Sequence, residues 1–161
     1  MKHVYSNKER HIIYKSATVK NSTTKQVPKE KAATKSRRKI INDCIKTLKK
    51  TFIFCKALND YVEITKISQS EVRNWGGINK KSTIAVLNIH NIVNNATYIY
   101  STNPKDNKKQ QAFKKMHILI CPIKGVGYAK ITIGEVIKKK ITPYTLYSIT
   151  HISLIKIKNR K

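Results

Sequence analysis

Apolar and polar residues change rhythm near Thr51. Ahead of it, residues 1 to about 40 show no apolar period apart from the short patch Ile12-Ile-Tyr14. They carry many Ser, Thr and Lys residues and the basic knot Lys35-Ser-Arg-Arg-Lys39. Such a segment buries too little surface to offset the entropy lost on ordering. The pattern predicts a basic, extended tail over residues 1–45, unstructured when free, and an α/β domain over residues 46–161.

Behind Thr51 the pattern predicts compact elements. Phe52-Ile-Phe-Cys55 with Ala57-Leu58 reads as a buried strand, and Asn59-Asp60 as a turn. Tyr61 to Ile67 alternates, with Val62 and Ile64 on one face and Glu63 and Thr65 on the other. Val72 to Trp75 reads as a short third strand ended by Gly76-Gly77. From Ser82 to Tyr100 the β-branched content favours a strand. The period favours a helix: Ala85, Ile89, Ile92, Val93 and Ala96 share one stripe, and Ser82 or Thr83 can cap it. Burial of such a stripe outweighs propensity, so the expectation is a helix from Ser82 to about Tyr98. Asn103 to Lys115 reads as a polar, basic insertion, and Ile118-Leu-Ile-Cys121 as a central strand. Lys124-Gly-Val-Gly127 is a tight loop. Lys130 to Lys140 reads as a short helix with Ile133, Val136 and Ile137 inward, and Tyr144 to Ile157 as a last strand.

Charge adds the strongest constraint on partners. The 161 residues hold 34 Lys and Arg against 8 Asp and Glu, a formal net charge of +26. That self-repulsion makes sense beside a polyanion. Nucleic acid fits best, because each lysine–phosphate contact releases a condensed counterion. An acidic membrane surface fits less well, since lysines run through the whole chain instead of gathering on one helix. No run of 18 apolar residues predicts a spanning helix, so no membrane insertion is expected. Cys44, Cys55 and Cys121 are odd in number and lack CxxC spacing, as buried thiols would. Wealth in Lys, Ile, Asn and Tyr is what an AT-rich genome encodes most easily, as in an organelle or an AT-rich bacterium.

Two segments suit phosphate binding. Lys124, Gly125, Gly127 and Lys130 surround a loop expected between a strand and a helix start, where backbone amides can approach an anion. Lys80, Lys81, Ser82 and Thr83 stand at the expected start of the long helix. A plain turn and an ordinary cap explain each equally well. Trp75 can stack on a base or pack against the core. No catalytic constellation emerges from spacing: the eight acids do not cluster, with Glu63 expected on a strand face and Glu135 on a helix. No enzyme activity, metal or cofactor is therefore expected.

Taken in order, several segments resemble the universal small-subunit ribosomal protein family S-eleven, in its bacterial or organellar form. Asn59-Asp-Tyr61 is similar to that family's strand-pair turn, and Ser70 to Gly77 to its Val- and Trp-bearing segment through Val72 and Trp75. Lys80-Lys-Ser-Thr83 resembles its helix opening, and Lys124 to Lys130 its Lys-Gly-Pro-Gly loop. Ile149 to Ile155 with Lys156 to Lys161 resembles its final strand and basic end. Val126 and Ala129 depart from the family loop, and residues 101–116 stand as an insertion. The resemblance implies an α/β fold: a mixed sheet of about five strands with ribonuclease H-like topology and two helices. It implies binding to small-subunit rRNA at the platform, beside neighbouring ribosomal proteins and mRNA near the exit, in a mitochondrial ribosome. The contact residues would then be Asn59, Trp75, Lys80, Lys81, Ser82, Thr83, Lys124, Gly125, Gly127 and Lys130. Arg37, Arg38 and Lys39 of the tail and Lys156, Lys158 and Arg160 at the end would join them. The alternatives are a non-ribosomal basic nucleic-acid-binding protein and a ribonuclease H-like enzyme.

Overall fold

The computed structural model describes residues 4–15, 18, 33–48, 52–64, 66–106, 110–137 and 146–157. The first surprise lies in the expected tail. Asn7–Lys15 forms helix α1 and Thr34–Leu48 forms helix α2. A capping box opens α1: the Glu9 backbone N–H donates to Ser6 Oγ at 3.2 Å, and the Ser6 N–H donates to Glu9 Oε2 at 2.6 Å. In α2 the buried residues are Arg37, Ile41 and Ile45, spaced by four. This is a helical stripe whose first member is charged, which hides it from an apolar count.

Phe52–Cys55 (β1) and Asp60–Glu63 (β2) form the expected antiparallel hairpin. Asn59 takes φ 51 in its turn, a conformation Asn tolerates better than most residues. The third strand expected at Val72 to Trp75 is instead helix α3, Lys66–Gly76. Val72 and Trp75 lie three apart and both pack into the core, as one helix face allows. The long helix holds over most of its length but is divided. Lys80–Leu87 is α4, Ile89–Asn95 is α5, and Thr97–Thr102 is already strand β3. Asn88 marks the break. Its side-chain Nδ2 donates to the Ile84 carbonyl at 2.8 Å, competing for the acceptor its own backbone N–H uses at 3.2 Å. The cap is Asn79, not Ser82 or Thr83: its side chain accepts from the Ser82 N–H at 2.9 Å.

Phe113–Ile123 (β4), Gly127–Val136 (β5) and Tyr147–Ile155 (β6) complete a six-stranded sheet ordered β1-β2-β6-β5-β4-β3. The helix expected from Lys130 is therefore a strand as far as Val136; residues 138–145 lie outside the described residues. Ala129, Ile131 and Ile133 are fully buried, and this period of two decides the element. Within the insertion expected over 101–116, Ser101 and Thr102 end β3 and Phe113 to Met116 begin β4, while residues 107–109 lie outside the described residues. The coarse α/β class holds, while among the described residues six strands and five helices replace the expected five and two. Among the described strands only β2 and β6 pair in parallel, through Val62↔Tyr147 and Glu63↔Ser148. That connectivity stands in place of the expected ribonuclease H-like topology.

One sheet face carries Ile53, Val62, Leu119, Ile131, Ile149 and Ile152, and α2 to α5 supply Ile41, Val72, Val86, Ile89 and Ile92 against it. On the other face Met116, Ile118 and Ile120 alternate with the core residues of β4, and α1 lies against β3 and β4. Ile13 is fully buried there. Burial, helped by Tyr100 and Glu9, pushes the Tyr5 hydroxyl up to about 12. Close packing shows most clearly at Gly134. A Cβ built there would lie 2.6 Å from Phe113 Cε1 and 2.8 Å from its Cγ. Gly134→Ala should therefore destabilise the fold by about 1–3 kcal/mol, read as a lower urea midpoint. An unchanged midpoint would mean that the Phe113 ring swings aside without loss.

Candidate nucleic-acid interface

The basic side chains do not act alike. Arg37, one of the expected contacts, is 1% exposed. Its Nε donates to the Gly77 carbonyl at 3.1 Å, and its Nη2 donates to the Ile78 carbonyl and to Thr34 Oγ1, each at 3.2 Å. It clamps the α3–α4 connection onto α2 and is not presented to a ligand. Arg38 and Lys39, next in sequence, are exposed. With Thr34, Lys35, Ser36 and Asn42 they line a groove on the outer face of α2. The stem of Arg38 lies over Gly77, where an added Cβ would meet its Cγ at 2.7 Å. The groove thus sits beside the loop leading into α4. Asn42 Oδ1, also on its wall, is buried without a hydrogen-bond partner among the described residues.

The helix start next to this groove is partly closed to ligands. Ser82 and Thr83 are buried, and both hydroxyls donate to the Gly76 carbonyl, at 2.9 and 2.7 Å. They tether the start of α4 to the end of α3 and do not face an anion. Lys81 is exposed and Lys80 half-buried. Trp75 is half-buried, packs against the core and lies 6.5 Å, ring centre to ring centre, from His151. This packing accounts for its place.

The glycine loop has a different setting from the one expected. Lys124, Gly125 and Val126 form the turn of the β4–β5 hairpin, closed by the Val126 N–H donating to the Ile123 carbonyl at 3.1 Å. Gly125 at φ 75 and Gly127 at φ 137 adopt backbone forms that favour glycine. A strand follows, so no helix amino end adds its field. Lys124 is exposed at the hairpin tip. Lys130 is half-buried within β5, and burial together with Lys105 pushes its ammonium below the usual lysine range. Asn59 is exposed at the opposite hairpin, and Lys156 is exposed just after β6. Lys158 and Arg160 lie outside the described residues.

The expected contacts therefore divide. The structure brings Lys35, Arg38 and Lys39 together, with Lys81 at the start of α4. It leaves Asn59, Lys124 and Lys156 on separate loops. Lys105, whose charge acts on Lys130, carries no signal in the sequence pattern that sets it apart. Among the described residues no helix is long and apolar enough to cross a membrane, and no three His, Cys, Asp or Glu side chains are grouped to hold a metal ion.

No curated protein and no solved structure matches the chain. A family match does exist, and it overturns the ribosomal resemblance. The segments that suggested it lie on other elements than that reading required: Val72 and Trp75 on a helix, and Lys124 to Lys130 on a hairpin. The family is described as large polyvalent protein-associated domain 3, and it matches residues 32–142, from just ahead of α2 to just beyond β5. The mitochondrial-ribosome setting drawn from the resemblance loses its basis with it. With more than half of its length matched, the chain belongs to the large polyvalent protein-associated domain 3 family.

Proposed function

We propose that this domain is a nucleic-acid-binding module that holds the phosphate backbone without reading sequence. The observation that carries this is the net charge of +26 joined to the exposed α2 groove, where Lys35, Arg38 and Lys39 stand within one and a half helical turns. Arg38 can meet a phosphate with a planar fork of donors, while the lysines act as mobile point charges. Their neighbour Arg37 fixes α2 to the α3–α4 connection, so the groove is held on a packed layer and not on a loose arm. Lys81 extends the positive surface toward α4. Counterion release supplies the affinity, which then falls steeply with salt.

The test is a salt titration of binding to mixed-sequence RNA and DNA oligonucleotides, followed by fluorescence anisotropy. The parent should bind in the micromolar range or weaker at physiological salt, with little sequence preference, as expected of non-specific contacts (~10⁻⁴–10⁻⁶ M). Replacing Lys35, Arg38 and Lys39 together by Glu should remove about three phosphate contacts. That should flatten the slope of log K against log salt by about two to three. Unchanged affinity and slope in a folded triple variant would place the interface elsewhere.

A further inference from the structure

Glu135 was expected on a helix, away from other chemistry. On β5 it meets a row of functional side chains. The register sets it directly opposite Lys115 on β4 and Tyr147 on β6. His117, two residues further along β4, lies on the same sheet face, and its Nε2 is 3.2 Å from Glu135 Oε2. Its ring contacts Tyr98 of β3 at 5.8 Å and Tyr147 at 5.9 Å between ring centres. Four adjacent strands thus each place a polar side chain at one end of the helix-covered face.

This row is not an ordinary piece of core. The side chain of His117 is 11% exposed and that of Glu135 20%, while Tyr98 is 36% exposed and Lys115 is exposed. The buried end of the pair leads out to solvent along the carboxylate. His117 Nδ1 is buried without a hydrogen-bond partner among the described residues. An unsatisfied buried nitrogen costs about 1–3 kcal/mol, which a purely structural pair would be expected to avoid. In a chain with 8 acids against 34 Lys and Arg, a carboxylate held by an imidazole and set opposite a lysine in the strand register is an unusual arrangement. It supplies a proton acceptor with a fixed direction, and the neighbouring strand carries an exposed lysine that can reach the same substrate.

We infer that this row cleaves RNA by acid–base chemistry. The inference rests on the binding of nucleic acid proposed above. Glu135 takes the proton from a ribose 2′-hydroxyl. The 2′-oxygen forms a bond to the adjacent phosphorus as the bond from phosphorus to the 5′-oxygen breaks. The Lys115 ammonium stands against the charge on the phosphoryl oxygens and gives a proton to the departing 5′-oxygen; solvent restores the proton to Lys115 and removes the one held by Glu135. The products are a 2′,3′-cyclic phosphate and a 5′-hydroxyl. His117 is a positioning residue: it fixes the carboxylate through Nε2. Tyr98 offers an exposed ring against which a base can stack. DNA has no 2′-hydroxyl, so it would be bound and left intact.

The experiment uses the full chain with end-labelled single-stranded RNA, the same sequence as DNA, and RNA carrying 2′-O-methyl groups. Products are resolved by mass, and binding is measured in parallel. The expected result is cleavage of RNA alone, leaving cyclic phosphate ends. Glu135→Gln should lower the rate at least about 100-fold with binding unchanged. His117→Asn should lower the rate less and alter its dependence on pH, which a merely structural role would leave in place. The Lys35, Arg38 and Lys39 triple variant should weaken binding and, at sub-saturating RNA, lower cleavage in the same proportion. RNA that is bound but uncut, or cut equally by folded Glu135→Gln, overturns the inference and leaves the binding proposal standing. Loss of both binding and cleavage in the parent chain overturns both.

Discussion

An Ile89→Asp variant should fail to fold, whereas Asn91→Asp, two residues along the same helix, should stay within about 0.5 kcal/mol of the parent chain. Ile89 is 2% exposed and lies in the main core between α5 and the sheet. The substitution removes a large apolar side chain, a loss of about 1.5–3 kcal/mol. It also places a carboxylate where no cation of the described core can meet it, which costs several kcal/mol more. A domain of this size has a total stability of about 5–15 kcal/mol, so the sum reaches the threshold of folding. Asn91 is exposed and serves as the control. Far-ultraviolet circular dichroism and urea denaturation read both. A cooperative, parent-like transition for Ile89→Asp would remove α5 from the core.

Arg37→Ala should cost about 2–5 kcal/mol, and Arg38→Ala much less than that. The reason is that truncating Arg37 strands the Gly77 and Ile78 carbonyls, which its guanidinium reaches across the α2–α4 junction. It also leaves a void beneath α2, since the side chain is almost fully buried. Lysine cannot replace it well, because one ammonium cannot reproduce donation from both Nε and Nη2. Arg38, exposed on the groove, should instead affect salt-dependent binding. Urea midpoints and anisotropy titrations on the same two variants separate the roles. Equal destabilisation by both, or weakened binding by a folded Arg37→Ala alone, would reverse the assignment.

These two neighbouring arginines show what composition can and cannot reveal. A basic knot announces affinity for anions, yet it carries no mark of which cation turns inward. That mark was the spacing of Arg37 with Ile41 and Ile45, and it becomes visible only if a charged residue is admitted to a buried stripe. The hairpin β1–β2, the core of β4 and the strand β6 were legible because their apolar runs lie between clear turn residues. Most of the helix from Ser82 was legible as well, since its stripe repeats over three turns. Glu135 was not. Ile133, Val136 and Ile137 fit a helical face, and the alternation of Ala129, Ile131 and Ile133 fits a strand. Sheet pairing with β4 and β6 decides between them, and such partners are distant in sequence. Misplacing that one strand hid the row of Lys115, His117, Glu135 and Tyr147, because cross-strand neighbours share no local spacing.

The parallel step between β2 and β6 has a consequence for how the chain acquires its shape. The last of the described strands, β6, lies in the interior of the sheet, with the β1–β2 hairpin on one side and the β3–β5 meander on the other. During synthesis the hairpin has no sheet to join until residues 147–155 emerge. The meander and the early helices can collect earlier through nearer contacts. Closing the chain from Val62 to Tyr147 is the long-range step, and long-range closure is slow relative to hairpin formation. Until it occurs, the inward edges of β2 and β5 remain open to pairing with another chain. A positive charge spread along the whole sequence opposes that encounter, because two such nascent chains repel each other. The same lysines that favour phosphate would then keep unfinished molecules apart.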